Sequence, residues 1–528
     1  MLRSKLLDLV PYPSGPVQEC SGQFVMPDCI GADLGDFENW CMEAFVQRTG
    51  MKPGGKNWII LERDLSVPEE GYCLHISETG VVIRASSENG VVWALTTVAI
   101  LAENQKLPCC VVEDAPRYPH RGLNLDCARH FFPADEVKKV IEEISLAKMN
   151  VLHWHLSDDQ GWRIESKRFP RLQEISGQFF TQEEIREIVE YARVRGVEII
   201  PEIDLPGHTS SILAAYPMYS CSGKEISLAT GGGIYPVILC PGKEETFSFV
   251  RELLEEILPL FQGKRFHIGG DEAPKSEWKK CPDCARRMEE QGIGDFEGLQ
   301  GYFTSRVVEI LKEYGKQPIC WNEILMSENW TKDMQIQYWT LQHRNTMEKF
   351  AQAGGHWIYS DMFELYFDYP YSMTPMKKVY KTIPHLGKHQ VSDNEGLLGL
   401  EACLWSEHIT EPEQLEKLLF PRIYALAELG WCGMRKYREF EMRLKVFISK
   451  GVHGSLRYTP ESWWNPKGRA RRKEAIDYFV SINSGMSEEV KNQTVEATAP
   501  NREFAQSFMS KFFKPLDIPF LLKTMVKK

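Results

Sequence analysis

The sequence predicts an α/β chain: a (β/α)8 barrel preceded by a small α+β domain and followed by a helical C-terminal extension. Two features carry that prediction. From about residue 120, short apolar runs alternate with amphipathic stretches at helical spacing, and eight such units fill roughly 330 residues, the scale of a barrel with long loops. Ahead of them lie shorter alternating stretches separated by Glu-Thr-Gly and Glu-Asn-Gly turns, the texture of a sheet with hairpins. At 528 residues the chain exceeds one ordinary domain, and with 43 % hydrophobic and 11 % aromatic residues it can bury a large core.

Residues 1–115 hold the alternating runs Tyr72-Cys73-Leu74-His75-Ile76 and Val81-Val82-Ile83-Arg84-Ala85, then a helix-like run over 90–103. They predict a small α+β domain with an antiparallel sheet. Asp114-Ala115-Pro116-Arg117-Tyr118-Pro119, with two prolines, marks its end. The barrel is assigned to 116–460, with strands over 122–126, 151–156, 197–203, 266–269, 318–321, 335–339, 356–360 and 398–404. Helices are predicted over 135–148 and 181–195, opened by Pro133-Ala134-Asp135-Glu136 and Thr181-Gln182-Glu183-Glu184. Residues 461–528 form the helical extension. Its apolar residues Phe504, Phe508, Phe512, Phe513, Phe520, Leu521 and Leu522 need cover, so the tail is expected either to close the barrel mouth or to form a homodimer contact.

Charge and cysteines narrow the partners. A net charge of −11 without a basic face argues against nucleic acid, and no apolar run reaches the length of a membrane span. Asp8 interrupts the apolar stretch at the start before it reaches signal-peptide length, so the fourteen cysteines read as reduced thiols of a cytoplasmic protein. Cys281-Pro282-Asp283-Cys284 has metal-ligand spacing, but no second Cys/His pair follows at zinc-ribbon distance.

The most informative segment is Phe266-His267-Ile268-Gly269-Gly270-Asp271-Glu272. It reads as a buried strand, two glycines and two adjacent acids at the strand end, where barrels place their chemistry. Other strands carry polar faces: His153, His155 and Ser157 on one; Glu198, Glu202 and Asp204 on another; Glu401, Trp405 and Glu407 on a third. Burying that many ionisable groups is costly unless they are networked or bind something. Trp321, Trp339, Tyr366 and Trp405 also fall near strand ends. Acids, an arginine and stacking rings suit a sugar, whose hydroxyls need polar partners and whose apolar face needs a ring.

Five motifs then resemble the family 20 glycoside hydrolases, the β-N-acetylhexosaminidases: Arg121-Gly122-Leu123-Asn124-Leu125-Asp126-Cys127-Ala128-Arg129-His130, Asn150-Val151-Leu152-His153-Trp154-His155-Leu156-Ser157-Asp158-Asp159, Pro201-Glu202-Ile203-Asp204-Leu205-Pro206-Gly207-His208, His267-Ile268-Gly269-Gly270-Asp271-Glu272 and Glu401-Ala402-Cys403-Leu404-Trp405-Ser406-Glu407. The resemblance covers the barrel and extends to the N-terminal domain. It implies a retaining, exo-acting hydrolase that releases terminal β-linked GlcNAc or GalNAc from a glycan or glycoconjugate. The substrate's own 2-acetamido oxygen would be the nucleophile and an oxazoline the intermediate. It implies Glu272 as general acid, then base, and Asp271 as the group that orients the acetamido and stabilises its positive nitrogen. Asp158 and His208 match the pair that supports the acid. Arg129 and Glu407 match contacts to the sugar hydroxyls, and Trp321, Trp339 and Trp405 the walls around the acetamido methyl. Tyr366 matches the hydrogen bond to the acetamido carbonyl, and Asp368 the acid at a distal hydroxyl. No metal or organic cofactor is implied. The alternatives are a disaccharide-releasing hydrolase like the lacto-N-biosidases and a non-catalytic sugar-binding protein; a family 18 chitinase is disfavoured by the absence of its D-x-x-D-x-D-x-E pattern.

Overall fold

The computed structural model describes residues 8–327, 330–340, 343–386, 389–391, 395–451, 457–482 and 510–513. Its centre is a closed barrel of eight strands: His120–Asp126, Val151–His155, Glu198–Glu202, Arg265–His267, Gln317–Trp321, Gln335–Tyr338, His356–Tyr359 and Leu397–Leu404. All neighbours are parallel, and the last strand closes on the first with Glu401 opposite Gly122. Each predicted barrel strand overlaps one of these. Two crossover helices fall at Ala134–Leu146 and Gln182–Arg193. The second opens on the predicted sequence: Thr181 accepts from the Glu184 amide while the Glu184 side chain returns to Thr181, a reciprocal cap that fixes the helix start.

The N-terminal sheet has six strands in the order Val17–Val25, Lys106–Asp114, Tyr72–Ser77, Gly80–Ala85, Ile59–Arg63, Ala32–Asp33. The predicted antiparallel sheet is a mixed one, because Ile59–Arg63 joins Gly80–Ala85 in parallel and Ala32–Asp33 follows it. Helix Glu88–Leu101 is buried along almost its whole length, which its apolar composition requires. One face lies on the sheet; on the other, Trp93 meets Trp431 of the barrel's outer layer edge-on at 6.2 Å.

Two cations of the barrel are neutralised by acids of this domain. Arg121 donates to Glu70 at 2.9 Å, and Lys148 donates to Asp114 at 2.9 Å and to Tyr72 at 2.7 Å. Both cations are fully buried. Asp114 also accepts from the Trp431 indole at 2.7 Å.

One layer of the barrel interior is the usual packing of branched side chains, Val151, Ile200, Ile319 and Ile358, and the rest is polar. Glu401 bridges His120 at 2.7 Å and His153 at 2.8 Å. Glu202 bridges His153 at 3.0 Å, His267 at 3.0 Å and His155, and accepts from the Trp321 indole at 2.8 Å. Burial would raise both carboxyls, but the imidazoles hold them well below the usual carboxylate range. Gly122 makes room for this stack: a Cβ there would sit 2.4 Å from the Glu401 carboxylate. Much of the polar face expected to meet ligand is therefore a structural network, and only its upper end reaches the site.

In the C-terminal region, helix Gly468–Ile482 lies over the barrel mouth. Its Arg471 donates to the Ser372 carbonyl at 2.7 Å, and Tyr478 packs edge-on against Tyr369 at 6.0 Å. Phe512 contacts Phe363 and Tyr369, and Phe513 contacts Phe479. Those contacts follow the covering role expected of the tail; Phe504, Phe508, Phe520, Leu521 and Leu522 lie outside the described residues. Among the described residues, no helix is long and apolar enough to cross a membrane.

Candidate active site

A cavity of about 220 Å3 opens at the carboxyl ends of the barrel strands. The sequence-predicted residues Arg129, His208, Asp271, Glu272, Trp321, Trp339, Tyr366, Asp368, Trp405 and Glu407 all line it. Asp158 stands behind them, buried. A larger cleft of about 620 Å3 lies at the opposite end of the barrel, around Glu198, Gly263 and Arg265. Size does not decide between them, because the smaller one holds the adjacent acids and the rings.

The backbone at strand four's end explains the two glycines. Gly269 and Gly270 have φ of 67° and 98°, and a Cβ on Gly269 would lie 1.7 Å from Asp204. Glu272 and His208 also occupy the left-handed region, at φ 44° and 51°. Such strain in non-glycine residues persists where surrounding structure enforces it, and it gathers at functional sites.

His208 connects the acids. Its Nε2 lies 3.6 Å from Glu272 and 3.9 Å from Asp271, while Nδ1 lies 3.2 Å from Asp158 and 3.4 Å from Asp159. Burial opposes an imidazolium, but Asp158's charge and hydrogen bonds to Asp158, Asp159 and Glu272 raise the His208 pKa well above its ordinary value. Asp158 is held well below the carboxylate range: burial would raise it, and Arg129 and His208 outweigh that. The Asp158–His155–Glu202 chain ties the site to the network below.

Asp271 is pushed up to about 6, first by burial, against the opposing charge of His208, and further by the charge of Glu272. Behind it, Asp204 is raised well above the ordinary range by burial and by Asp271's charge. Asp204 also accepts from the Gly270 amide at 3.0 Å.

The aromatic walls form one cluster with Cys403. Trp339 and Tyr366 lie nearly parallel at 6.2 Å, and Trp405 is 5.8 Å from Trp321 and 6.2 Å from Tyr366. At the other end, Arg129 bonds Asp158 at 2.7 Å, lies 4.0 Å from Glu407 and stands over the Trp405 ring at 4.9 Å. Asp368 has one oxygen 3.5 Å from the Tyr478 hydroxyl and another buried without a partner. Arg129 Nε and Asp271 Oδ1 likewise lack hydrogen-bond partners. Buried polar atoms left open at one cavity are what a polar ligand would satisfy.

The structure adds residues that the sequence reading did not name as site residues. Glu323 accepts from the Trp339 indole at 3.2 Å and from the Glu272 amide; burial and the charges of Asp271 and Glu272 raise its pKa well above the carboxylate range. Its place in Trp321-Asn322-Glu323, just past a strand end, was the available signal. Tyr369, Gly232, Gly233, Ile234, Tyr478 and Ile482 also line the cavity. They come from long loops and the terminal helix, where no periodic pattern points inward.

Residues 118–434 match the catalytic domain of glycosyl hydrolase family 20, and residues 42–115 match domain 2 of that family. A beta-hexosaminidase of Porphyromonas gingivalis is 33% identical over 458 residues, covering 78% of this chain and 57% of its own length. One from Akkermansia muciniphila is 29% identical, covering 78% of this chain and 91% of the relative. The crystal structure of a Bacteroides fragilis beta-N-acetylhexosaminidase superposes with a TM-score of 0.78 at 26% identity, covering 86% of this chain and 97% of that one. A Vibrio harveyi exo beta-N-acetylglucosaminidase solved with N-acetylglucosamine gives 0.77 at 27% identity, with 86% and 78% covered. With its catalytic-domain match spanning more than half its length, the chain belongs to glycosyl hydrolase family 20.

Proposed function

We propose that the protein is an exo-acting, retaining β-N-acetylhexosaminidase that releases terminal β-linked GlcNAc or GalNAc through an oxazoline intermediate. The observation that carries the reading is the placement of Asp271 and Glu272, each within 4 Å of His208 and both lining an aromatic-walled cavity. The nucleophile belongs to the substrate, so the protein needs a proton donor and an electrostatic clamp. Glu272 protonates the departing glycosidic oxygen, and the acetamido oxygen attacks the anomeric carbon as that bond breaks. Asp271 holds the acetamido N–H and stabilises the positive charge on the oxazolinium. Water deprotonated by Glu272 then opens the ring, which restores the starting configuration and the proton on Glu272. Trp321, Trp339, Tyr366 and Trp405 enclose the acetamido group; Arg129, Asp368 and Glu407 take the ring hydroxyls. Structures of relatives described as containing N-acetylglucosamine or GlcNAc product support the sugar class.

Arg129, Asp368, Glu407 and Tyr478 gather at one end of the cavity, which favours one terminal sugar over a disaccharide. Hydrolysis of a chromogenic β-N-acetylglucosaminide, with product mass measured on an oligosaccharide, tests both points. Glu272→Gln should lower turnover by ~10²–10⁴-fold on a substrate with a poor leaving group. A folded protein inactive on N-acetylhexosaminides, or a variant as active as wild type, would refute the assignment.

A further inference from the structure

Four thiols meet at a point that the proposed chemistry does not use. Cys221 and Cys240 come from the long loop after the third barrel strand. Cys281 and Cys284 bracket the start of helix Pro282–Gln291, beyond the catalytic acids. All four sulfurs lie within 4.8 Å of one another. Cys240 Sγ is 3.7 Å from Cys281 Sγ and 3.7 Å from Cys284 Sγ, and Cys221 Sγ is 3.8 Å from Cys284 Sγ. A disulfide would bring two of them to about 2.05 Å, so these are separate thiols. Four thiolates at ~2.3 Å around a tetrahedral ion stand ~3.8 Å apart along each edge (2.3 Å × 1.63), which the three separations match.

We propose that Cys221, Cys240, Cys281 and Cys284 form a structural zinc site. The competing account is that four small apolar side chains fill a minor core, since Ile238, Trp278 and Leu299 pack around them. Packing alone favours no common centre and no tetrahedral spacing. The supporting backbone is also built for approach: a Cβ on Gly242 would lie 2.3 Å from the Asp283 backbone, and the Gly242 backbone hydrogen-bonds Cys240. An antiparallel bridge between Ser220 and Leu239 sets Cys221 and Cys240 side by side, and the Cys240 amide donates to Tyr219 at 2.9 Å. Trp278 donates to the Leu239 carbonyl at 3.0 Å, tying the two halves together. The Cys281/Cys284 pair, which the sequence left without a second pair, thus gains its partners from upstream, not from the downstream pair a zinc ribbon would supply.

Thiolate ligands select zinc over hard cations, and four of them leave no open position, so the ion would hold structure without polarising substrate. It would clip together the two loops that flank the cavity. Gly232, Gly233 and Ile234 lie between Cys221 and Cys240, and the Glu272 segment leads into Cys281. The site owes nothing to the identity of the sugar, so it stands or falls separately from the proposed activity.

The test is elemental analysis of tag-free, full-length protein purified without chelator, with a mercurial titration that releases metal as thiols are modified. Zinc near one equivalent per chain, released in step with four thiols, is the expected result. Cobalt exchanged into the site should give the intense red-region bands of tetrahedral thiolate coordination, and Cys240→Ser/Cys284→Ser should abolish both signals. Iron at that stoichiometry would overturn the zinc assignment. Less than a tenth of an equivalent of any metal, with all four thiols freely reactive after zinc addition, would overturn the site itself. Because the wild-type measurement decides, misfolding of the double variant does not blur the outcome.

Discussion

Replacing His208 by Gln should move the acid limb of the pH–activity profile upward. His208, whose pKa its acidic neighbours raise well above the ordinary value against burial, lies 3.9 Å from the Asp271 carboxylate. Asp271 must be ionised to stabilise the oxazolinium, so activity rises with pH as it loses its proton, near the value of about 6 to which it is pushed. Removing a neighbouring positive charge disfavours the carboxylate, which raises that pKa and shifts the limb to higher pH. At an effective dielectric of ~20, the 3.9 Å separation gives 332/(20 × 3.9), about 4 kcal/mol or ~3 pH units as an upper bound. The cavity admits water and a hydrogen bond with Asp204 also lowers the Asp271 pKa, so a shift of ~1–2 units is expected. The assay is kcat/KM against pH on a chromogenic β-N-acetylglucosaminide, alongside a melting curve to establish folding. A limb that stays in place or moves to lower pH, in a folded variant, would refute the coupling.

Gly122→Ala drives a methyl group to 2.4 Å from Glu401 and 2.6 Å from His120 inside the network, so urea unfolding should show a loss of ~1–3 kcal/mol; an unchanged midpoint would contradict the packing. His153 is raised from 6.5 to about 9, since its bonds to Glu401 and Glu202 overcome the cost of burial. Its contribution to stability is complete below about 6.5 and is lost as pH rises through about 9, so His153→Gln should flatten that part of the stability–pH curve. Tyr478→Ala removes one wall of the sugar pocket and should raise KM by roughly tenfold, equivalent to ~1.4 kcal/mol of binding; unaltered KM would place the terminal helix outside substrate binding. A chain ending near residue 465 should sediment with the same number of subunits as the full chain if the tail serves as a cover, whereas a halved mass would establish the dimer contact.

The barrel was legible because each strand is an apolar run that ends in chemically unusual residues. Adjacent acids after Gly269-Gly270 and the polar faces around His153, Glu202 and Glu401 marked both the strands and the end that matters. Alternation, however, says which side of a strand a residue faces and not how far along the axis it sits. That is why alternation alone left open whether His153 and Glu401, which lie wholly inside the network, were networked or bound something. Strand direction in the N-terminal sheet escaped for a similar reason, since the pattern of Ile59–Arg63 is the same in either orientation. Glu323 and Tyr478 depend on where a loop and a distant helix come to rest, which local spacing does not encode. Cys221 and Cys240 are separated by a whole loop, so their convergence with Cys281-Pro282-Asp283-Cys284 emerges only in three dimensions.

The paired charges beneath the barrel bear on any attempt to trim the protein to its enzymatic core. Cutting away the N-terminal module would strip Arg121 and Lys148 of the carboxylates that neutralise them and bare the apolar floor around Trp431. Such a fragment would present unmatched cations on a greasy surface, a combination that favours self-association over a free-standing catalyst. The small module is therefore a foundation of the catalytic unit and would have to travel with it in any transplant or fusion.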